Sequence, residues 1–153
     1  MVTLSSSAEY ALRAMVWLAA NAAGRQTTQQ IGEGTQVPMA YLSKVLQSLA
    51  RAELVRSQRG LGGGFVLARP ADEITALQVV DAVDPPLRSE GCPLGIAAHR
   101  GKRCALHRTV DDALAQGRDT LDRASLGALL QCDECPAPFA LPKRGKRHRR
   151  QGR

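Results

Sequence analysis

The sequence is poor in aromatic residues and offers no segment suited to a membrane. Only five of its 153 residues are aromatic (two Phe, two Tyr and one Trp), so we expect a mainly aliphatic core. An apolar run near the N-terminus, ALRAMVWLAANAA at 11–23, is interrupted by Arg13, follows Glu9 and has no basic leader. Such a run fits neither a signal peptide nor a transmembrane helix. We therefore expect a cytoplasmic protein with reduced thiols and no membrane partner.

The sequence also lacks the motifs of common enzyme sites. It has no HExxH motif and no Ser/His/Asp or Cys/His/Asn arrangement with an orienting group. The glycine run RGLGGG at 59–64 precedes further β-like residues and not Lys-Ser/Thr with a helix, which excludes a P-loop. We predict that the protein is not an enzyme and identify no small-molecule substrate. Two alternatives come from other functional classes. One is a metal- or thiol-dependent enzyme built around the cysteines, and the other is a module for protein association.

The positive charge of the sequence is unevenly placed. The net charge is +7, but the last eleven residues, 143–153, hold seven Lys/Arg and no acid, which leaves 14 basic and 14 acidic residues in 1–142. Such a tail is usually disordered and either attracts polyanions or only improves solubility. The segment 44–69 has five basic residues against one acid, whereas 72–84 has four acids and no base. This asymmetry indicates an interaction surface.

Two helical segments are predicted in the first 36 residues. A serine cap with Glu9 in the first turn begins a helix that ends at Gly24. Thr27 or Thr28 caps a short second segment around Ile31, which its two glycines weaken. The residues of the first helix expected to face the core are Leu12, Met15, Val16 and Ala19.

The segment 36–54 is a strongly amphipathic helix, and the residues after it resemble a hairpin. Pro38 suits the first helical turn. The runs 54–60 and 63–69 are β-like and enclose a glycine-rich tip. A helix-turn-helix followed by a basic hairpin predicts a winged helix, mainly α with a small β-hairpin wing. Its second helix would enter the major groove of DNA, and Arg59 the minor groove. The apolar stripe of that helix is Tyr41, Leu42, Val45, Leu46 and Leu49.

The second half of the chain has too little apolar content for a domain of its own. A short helix at 74–84 turns four residues inward, namely Ile74, Leu77, Val80 and Val83. A long C-terminal helix then carries Leu106, Val110, Ala113, Leu114, Leu121 and Leu126. It packs either on a second copy, which suits a two-fold DNA reader, or on its own winged helix. We divide the chain into four parts. These are a winged-helix domain at 1–84, a cysteine-containing sensor-type loop at 85–105, a dimerisation helix region at 106–131, and a tail with a CxxC pair and basic residues at 132–153.

Three stretches together carry a specific resemblance. SSSAEYALRAMVWLA at 5–19, VPMAYLSKVLQSLARAELVRSQRGLGGGFVLAR at 37–69 and ITALQVVDAVD at 74–84 resemble the Rrf-two family of winged-helix transcription regulators, the group of IscR and NsrR. The likeness runs from about residue 4 to about residue 130. It implies a homodimeric, sequence-specific regulator that binds a double-stranded DNA operator and has a long dimerisation helix.

The resemblance and the predicted helix-turn-helix select the residues that contact DNA. By position, Pro38, Ala40, Ser43 and Lys44 match DNA-facing residues of the recognition helix, and Arg59 matches the arginine of the wing. Serine and lysine favour phosphate and base-edge contacts. The full candidate set is Thr28, Pro38, Ala40, Tyr41, Ser43, Lys44, Gln47, Arg59, Gly62 and Gly63.

The resemblance also implies a sensor site. Family members often hold an iron–sulfur cluster in the loop before the dimerisation helix and sense redox or iron–sulfur status with it. Cys92 and Cys104 match the first and last of three family cysteines, but Ala98 stands at the middle position. His107 matches a histidine ligand of some members, and Glu9 a carboxylate that reaches the cluster of the partner chain. These residues would ligate a 2Fe–2S cluster.

Two further interpretations of the cysteines stay open. The missing middle cysteine also suits a family member that has lost the cluster and binds DNA without a cofactor. Alternatively, a zinc ion would take its four ligands from Cys92, Cys104 and His107 together with Cys132 and Cys135, because four Cys/His ligands are typical of tetrahedral zinc.

Overall fold

The computed structural model describes residues 4–84 and 104–131. In chain order, the elements are α1 (Ser6–Ala20), α2 (Thr28–Thr35), α3 (Met39–Arg51), β1 (Val55–Gln58), β2 (Gly64–Leu67), a 3-10 turn (Ala71–Glu73), α4 (Ala76–Val83), α5 (Ala105–Arg123) and α6 (Leu126–Leu130). The fold is therefore mainly helical with one antiparallel hairpin, which agrees with the prediction. In the described ranges no helix is long and apolar enough to cross a membrane.

Side-chain caps explain where the first two helices begin. Ser5 accepts a hydrogen bond from the backbone N–H of Ala8 at 3.1 Å and thereby caps α1. Thr27 caps α2 and forms a reciprocal capping box with Gln30. The predicted cap of the second segment is thus Thr27, and Thr28 is the first helical residue. The first helix ends at Ala20, four residues before the predicted stop at Gly24.

The two glycines of α2 permit close packing rather than weaken the helix. A Cβ at Gly34 would overlap sterically with ring carbons of Trp17 in α1. A Cβ at Gly32 would lie 2.7 Å from the sulfur of Met39. Because glycine has no side chain, α2 approaches both neighbours closely. The gain in packing offsets the poor helix propensity of glycine.

The core lies between α1, α3 and α4. Leu42, Val45, Leu46 and Leu49 of α3 are buried as predicted, whereas Tyr41 is 57% exposed and does not belong to the buried stripe. The face of α1 that is buried differs from the predicted one: of the four residues expected there, only Met15 is fully buried, and the other three are half-buried. The residues of α1 that fill the core are Ala8, Ala11, Ala14, Met15, Trp17 and Leu18.

The buried face of α4 also differs in part from the prediction. Ile74 and Val79 are fully buried. Leu77, Val80 and Val83 are only half-buried, so the inward position falls on Val79 and not on Val80. The neighbouring helix α5 explains this shift, because α4 is packed on two sides and a single apolar stripe does not describe it.

A third short segment pairs with β2 close to the tip of the hairpin. Val55 pairs with Leu67 and Gln58 with Gly64. Gln26, which comes directly before the cap of α2, exchanges two backbone hydrogen bonds with Phe65 at 3.0 and 2.8 Å. We call β1, β2 and the connecting tip the wing. The tip end of β2 is therefore joined to the residue that precedes the cap of α2.

The predicted long C-terminal helix is interrupted near its end. The helix α5 ends at Arg123, and Ser125 caps a separate short helix, α6. At the break, the N–H of Leu126 donates to the carbonyl of Ile74 at 2.9 Å, and the N–H of Ala76 donates to the carbonyl of Ala124 at 2.8 Å. Leu126 is fully buried in the winged-helix core. The chain thus folds back onto its own first domain at this point.

An ion pair fixes α5 against α4. Both terminal nitrogens of Arg118 donate to the two carboxylate oxygens of Asp81 at 2.8 Å. This hydrogen-bonded carboxylate raises the pKa of Arg118 above its usual value, so the arginine stays charged. Because the side chains are 40% and 30% exposed, the pair orients the helices more than it stabilises them.

Candidate nucleic-acid interface

The outer face of α3 presents polar and basic side chains. Pro38, Ala40, Ser43, Lys44 and Gln47 are all exposed. These positions recur at intervals of three and four residues, so most of them share one side of the helix. The hydroxyl of Ser43 donates to the carbonyl of Met39 at 3.2 Å, which leaves its oxygen lone pairs toward solvent. A helix of this kind can place donors and acceptors against the edges of bases.

An aromatic contact joins α3 to α1. The rings of Tyr41 and Tyr10 are 5.9 Å apart between centroids and tilted by 54°. The guanidinium carbon of Arg13 lies 5.9 Å from the centre of the Tyr10 ring. Arg13 also pairs with Glu9 at 3.8 Å, one helical turn earlier. The sequence did not single out Arg13, although its i, i+3 spacing from Tyr10 places the two side chains on one face of α1.

The wing carries the remaining predicted DNA contacts. Arg59 and Gly62 are exposed, and Gly63 is half-buried. Gly63 closes the tip, since its N–H donates to the carbonyl of Gly60 at 2.9 Å. Thr28 lies apart from the tip in the first turn of α2 and is half-buried. The set therefore divides into a group on α3, a group on the wing and one residue in α2.

The basic segment is available to a polyanion. All five of its cations are exposed, and in residues 4–84 and 104–131 no carboxylate forms an ion pair with any of them. Arg69 differs from the other four, because its guanidinium donates to the carbonyl of Glu73 and to the side chain of Gln78. Arg25, which the sequence reasoning did not select, is also exposed, and its Cβ lies 3.3 Å from the site of a Cβ on Gly64 of the wing. The five residues are Lys44, Arg51, Arg56, Arg59 and Arg69.

A cysteine and a histidine meet at the beginning of α5. The sulfur of Cys104, which is the N-cap residue, lies 3.7 Å from Nδ1 of His107. His107 is buried, with 8% of its surface exposed. Two ligands of one tetrahedral metal ion, bound at the usual Zn–S and Zn–N distances, are about 3.5 Å apart. The observed spacing is therefore close to that of a ligand pair, and it is also that of a hydrogen bond between the sulfur and the ring nitrogen.

Comparison with known proteins decides the family. The sequence model of Rrf2, described as an iron-dependent transcriptional regulator, matches residues 4–132. The chain belongs to the Rrf2 family of transcriptional regulators. The predicted family is thus confirmed, and because the named relatives are regulators, so is the prediction that the protein is not an enzyme.

Individual family members are similar over most of their length. A Mycobacterium tuberculosis protein whose name assigns it to the HTH-type transcriptional regulators is 37% identical over 125 residues, which cover 80% of this chain and 78% of that protein. The IscR regulator of Aliivibrio salmonicida is 33% identical over 132 residues, 86% of this chain and 79% of that protein.

Solved structures of family members share the fold. The structure of CymR, titled the global cysteine regulator of B. subtilis, matches with a TM-score of 0.64 and 27% identity over 84% of this chain and 96% of that one. The structure of T. potens IscR matches with a TM-score of 0.66 and 23% identity over 84% and 86% of the two chains, and it supports the fold alone. The winged-helix prediction is thereby confirmed.

The family's ligand positions are only partly within the described residues. Cys92, Ala98, Cys132 and Cys135 lie outside them, as does the basic tail. Glu9 is exposed on α1. Across 4–84 and 104–131, no three His, Cys, Asp or Glu side chains are grouped as metal ligands. Of the proposed ligands, the structure therefore brings together Cys104 and His107.

Proposed function

We propose that the protein is a homodimeric, cytoplasmic regulator that binds a double-stranded DNA operator through α3 and the wing. The observation that carries this proposal is the combination of an exposed polar and basic α3 with a basic hairpin whose tip is exposed. In the proposed complex, α3 lies in the major groove and the wing follows the backbone into the minor groove.

Each group of the candidate set has a distinct chemical role in this proposal. Lys44 donates to phosphate or base edges. Ser43, whose hydroxyl hydrogen is directed to the carbonyl of Met39, accepts from a base amino group. The amide of Gln47 suits a bidentate contact with adenine. The small side chain of Ala40 leaves room for a thymine methyl group. Arg59 is drawn to the negative potential of a narrow minor groove.

The dimer is proposed from apolar surface that the described fold leaves uncovered. Leu106 and Leu114 of α5 are 40% and 39% exposed. Contact with α5 of a second copy would remove this surface from water. A two-fold dimer then binds two half-sites, whose centres we expect about 34–36 Å apart or a multiple of one duplex turn. Leu126, which is buried in its own subunit, takes no part in this contact.

A selected operator tests the DNA contacts. Lys44→Ala and Arg59→Ala should each weaken binding, and each should reduce the slope of log K against log salt by about one, because one phosphate or groove contact is lost. Both side chains are exposed, so thermal stability should not change. Arg123→Ala, at the far end of α5, is the matched control and should bind like the parent. Parent-like binding by both test variants would refute the interface.

A sensor function is a second proposal, supported by the 3.7 Å spacing of Cys104 and His107 and by the family description. We propose that Cys92, Cys104, His107 and the partner's Glu9 hold a 2Fe–2S cluster, whose role would be one-electron chemistry. Within this chain, Cys104 would supply a sulfur ligand and the buried His107 a ring nitrogen. Ala98 supplies no ligand, which leaves two competing outcomes. In the first, the protein binds DNA without a cofactor. In the second, the same residues bind zinc together with Cys132 and Cys135.

Anaerobic purification decides among these three outcomes. A cluster predicts a coloured protein with iron and visible absorption, both of which Cys92→Ala should abolish. A colourless protein with stoichiometric zinc assigns the residues to zinc. A metal-free protein that still binds its operator shows a regulator without a cofactor. The DNA-binding proposal is independent of all three results.

A further inference from the structure

The tip of the wing is a closed turn made almost entirely of glycine. The hydrogen bond from Gly63 to Gly60 spans a four-residue turn. Gly62, its third residue, has φ +75°, which is the conformation that a type II turn requires at this place and that favours glycine. Leu61 is the second residue and the one side chain beyond glycine in the turn.

The geometry of the turn holds Leu61 in solvent. Its exposure of 109% exceeds that of every other large apolar side chain in the described residues. A Cβ placed on Gly60 or Gly62 would meet no atom within 4 Å, so the tip stands clear of the rest of the described chain. At Gly63 a Cβ would lie 2.8 Å from the carbonyl oxygen of Gly60, so the turn is tightly closed. Leu61 therefore cannot fold onto the core unless the turn opens.

The position of this leucine distinguishes it from an ordinary surface residue. Single exposed apolar side chains are common on proteins and need no special explanation. Here, however, the three most exposed large apolar residues of the described chain all lie on α3 or the wing: Leu61 at 109%, Tyr41 at 57% and Met39 at 48%. Arg59, which is also exposed, is two residues before the leucine. Exposed apolar side chains thus occur on the same two elements, α3 and the wing, that carry the proposed DNA contacts.

We propose that Leu61 is a minor-groove contact of the wing that favours A·T over G·C base pairs. This inference rests on the proposed DNA binding. Leu61 lies beside Arg59 and packs on the sugars and on the floor of the groove. The minor groove is about 6 Å wide, enough for one aliphatic side chain. Apolar side chains are used at such positions by other proteins that bind the minor groove.

The base preference follows from the groove floor. A G·C pair projects the exocyclic N2 amino group of guanine into the minor groove, whereas an A·T pair presents only acceptors. A leucine against guanine would meet this amino group and deprive it of its hydrogen bond to water. Against adenine, the same leucine faces the C2–H of the base, where no amino group projects into the groove. Leu61 therefore discriminates by shape, and Arg59 attracts the backbone by charge.

Replacing guanine by inosine separates the effect of the N2 amino group in the minor groove from contacts in the major groove. An I·C pair resembles G·C in the major groove but lacks the N2 amino group. The full chain is first used to select an operator from random duplexes, and each position near the wing is then made A·T, I·C or G·C. We expect the parent to bind A·T and I·C about equally, and G·C about tenfold more weakly, at one position per half-site.

Variants of the leucine test its role directly. Leu61→Ala should weaken binding to the A·T operator about tenfold and remove the preference over G·C. Its salt dependence should stay that of the parent, because no charge is lost, whereas that of Arg59→Ala should fall. Leu61→Met, which keeps an apolar side chain, should retain most of the preference. Circular dichroism should be unchanged in all three variants.

Three results would overturn the proposal. One is a Leu61→Ala protein with parental affinity and preference while Lys44→Ala binds weakly; DNA binding would then stand and only the role of Leu61 would fall. Another is equal binding of G·C and I·C at every position. A third is a change in oligomeric state with unchanged DNA affinity, which would assign the leucine to a protein contact. If the parent selects no duplex at all, the proposed function falls as well.

Discussion

Replacement of Leu126 by alanine should strongly destabilise the protein, because this residue attaches the C-terminal helices to the winged-helix core. Leu126 is 0% exposed, and its N–H donates to the carbonyl of Ile74. Alanine lacks three of its carbon atoms, at about 0.8 kcal/mol for each buried group, and leaves a partly unfilled cavity. We expect a loss of about 3 kcal/mol in the free energy of unfolding and a decrease of about 10 °C in Tm.

The same short helix contains the matched control. Leu129 is 40% exposed, so Leu129→Ala should cost less than about 1 kcal/mol. Urea unfolding followed by circular dichroism measures both changes, at one protein concentration because a dimer's stability depends on it. If Leu126→Ala were no more destabilising than Leu129→Ala, α6 would not be anchored in the core and the described contact would be wrong.

Two further changes test packing and assembly. Gly34→Ala should cost about 1–3 kcal/mol in thermal or urea unfolding, because its Cβ would overlap the ring of Trp17; Gly24→Ala, whose Cβ would meet nothing within 4 Å, should be nearly neutral. Leu114→Glu should convert the proposed dimer to a monomer in sedimentation experiments while helix content is retained, because a charge would then face the partner helix; a variant that remains dimeric would place the interface elsewhere.

The elements nearest the proposed DNA contacts were the most predictable from sequence. The predicted stripe of α3 is correct at four of its five positions, since Leu42, Val45, Leu46 and Leu49 are all buried. Strong amphipathicity makes such a helix easy to recognise. The hairpin was equally clear because two β-like runs enclose a glycine-rich tip. The exposure of Tyr41 was not predictable, since an aromatic residue next to a stripe looks like part of it.

The buried face of α1 could not be derived in the same way. Alanines at 8, 11 and 14 are fully buried, whereas the larger Leu12 and Val16 are half-buried. Hydrophobic periodicity gives weight to large side chains, but a helix with neighbours on several sides needs small residues where backbones approach. The helix α6 was missed for a related reason. Leu121 and Leu126 continue the helical spacing, and the break between them depends on hydrogen bonds to the distant Ile74 and Ala76.

The sequence by itself determined the family, the helix-turn-helix and the wing, because each depends on local patterns of apolar, capping, glycine and basic residues. The residues that contact DNA stay a prediction. Cys104 and His107 are three residues apart, so their approach to 3.7 Å follows from local helical spacing. Only the tertiary structure decided which residues of the long C-terminal region pack on their own subunit, and that Leu61 stands alone at the tip of a closed turn. The first fact depends on contacts between residues far apart in the chain and the second on the exposure of a folded surface, and neither has a period that a sequence displays.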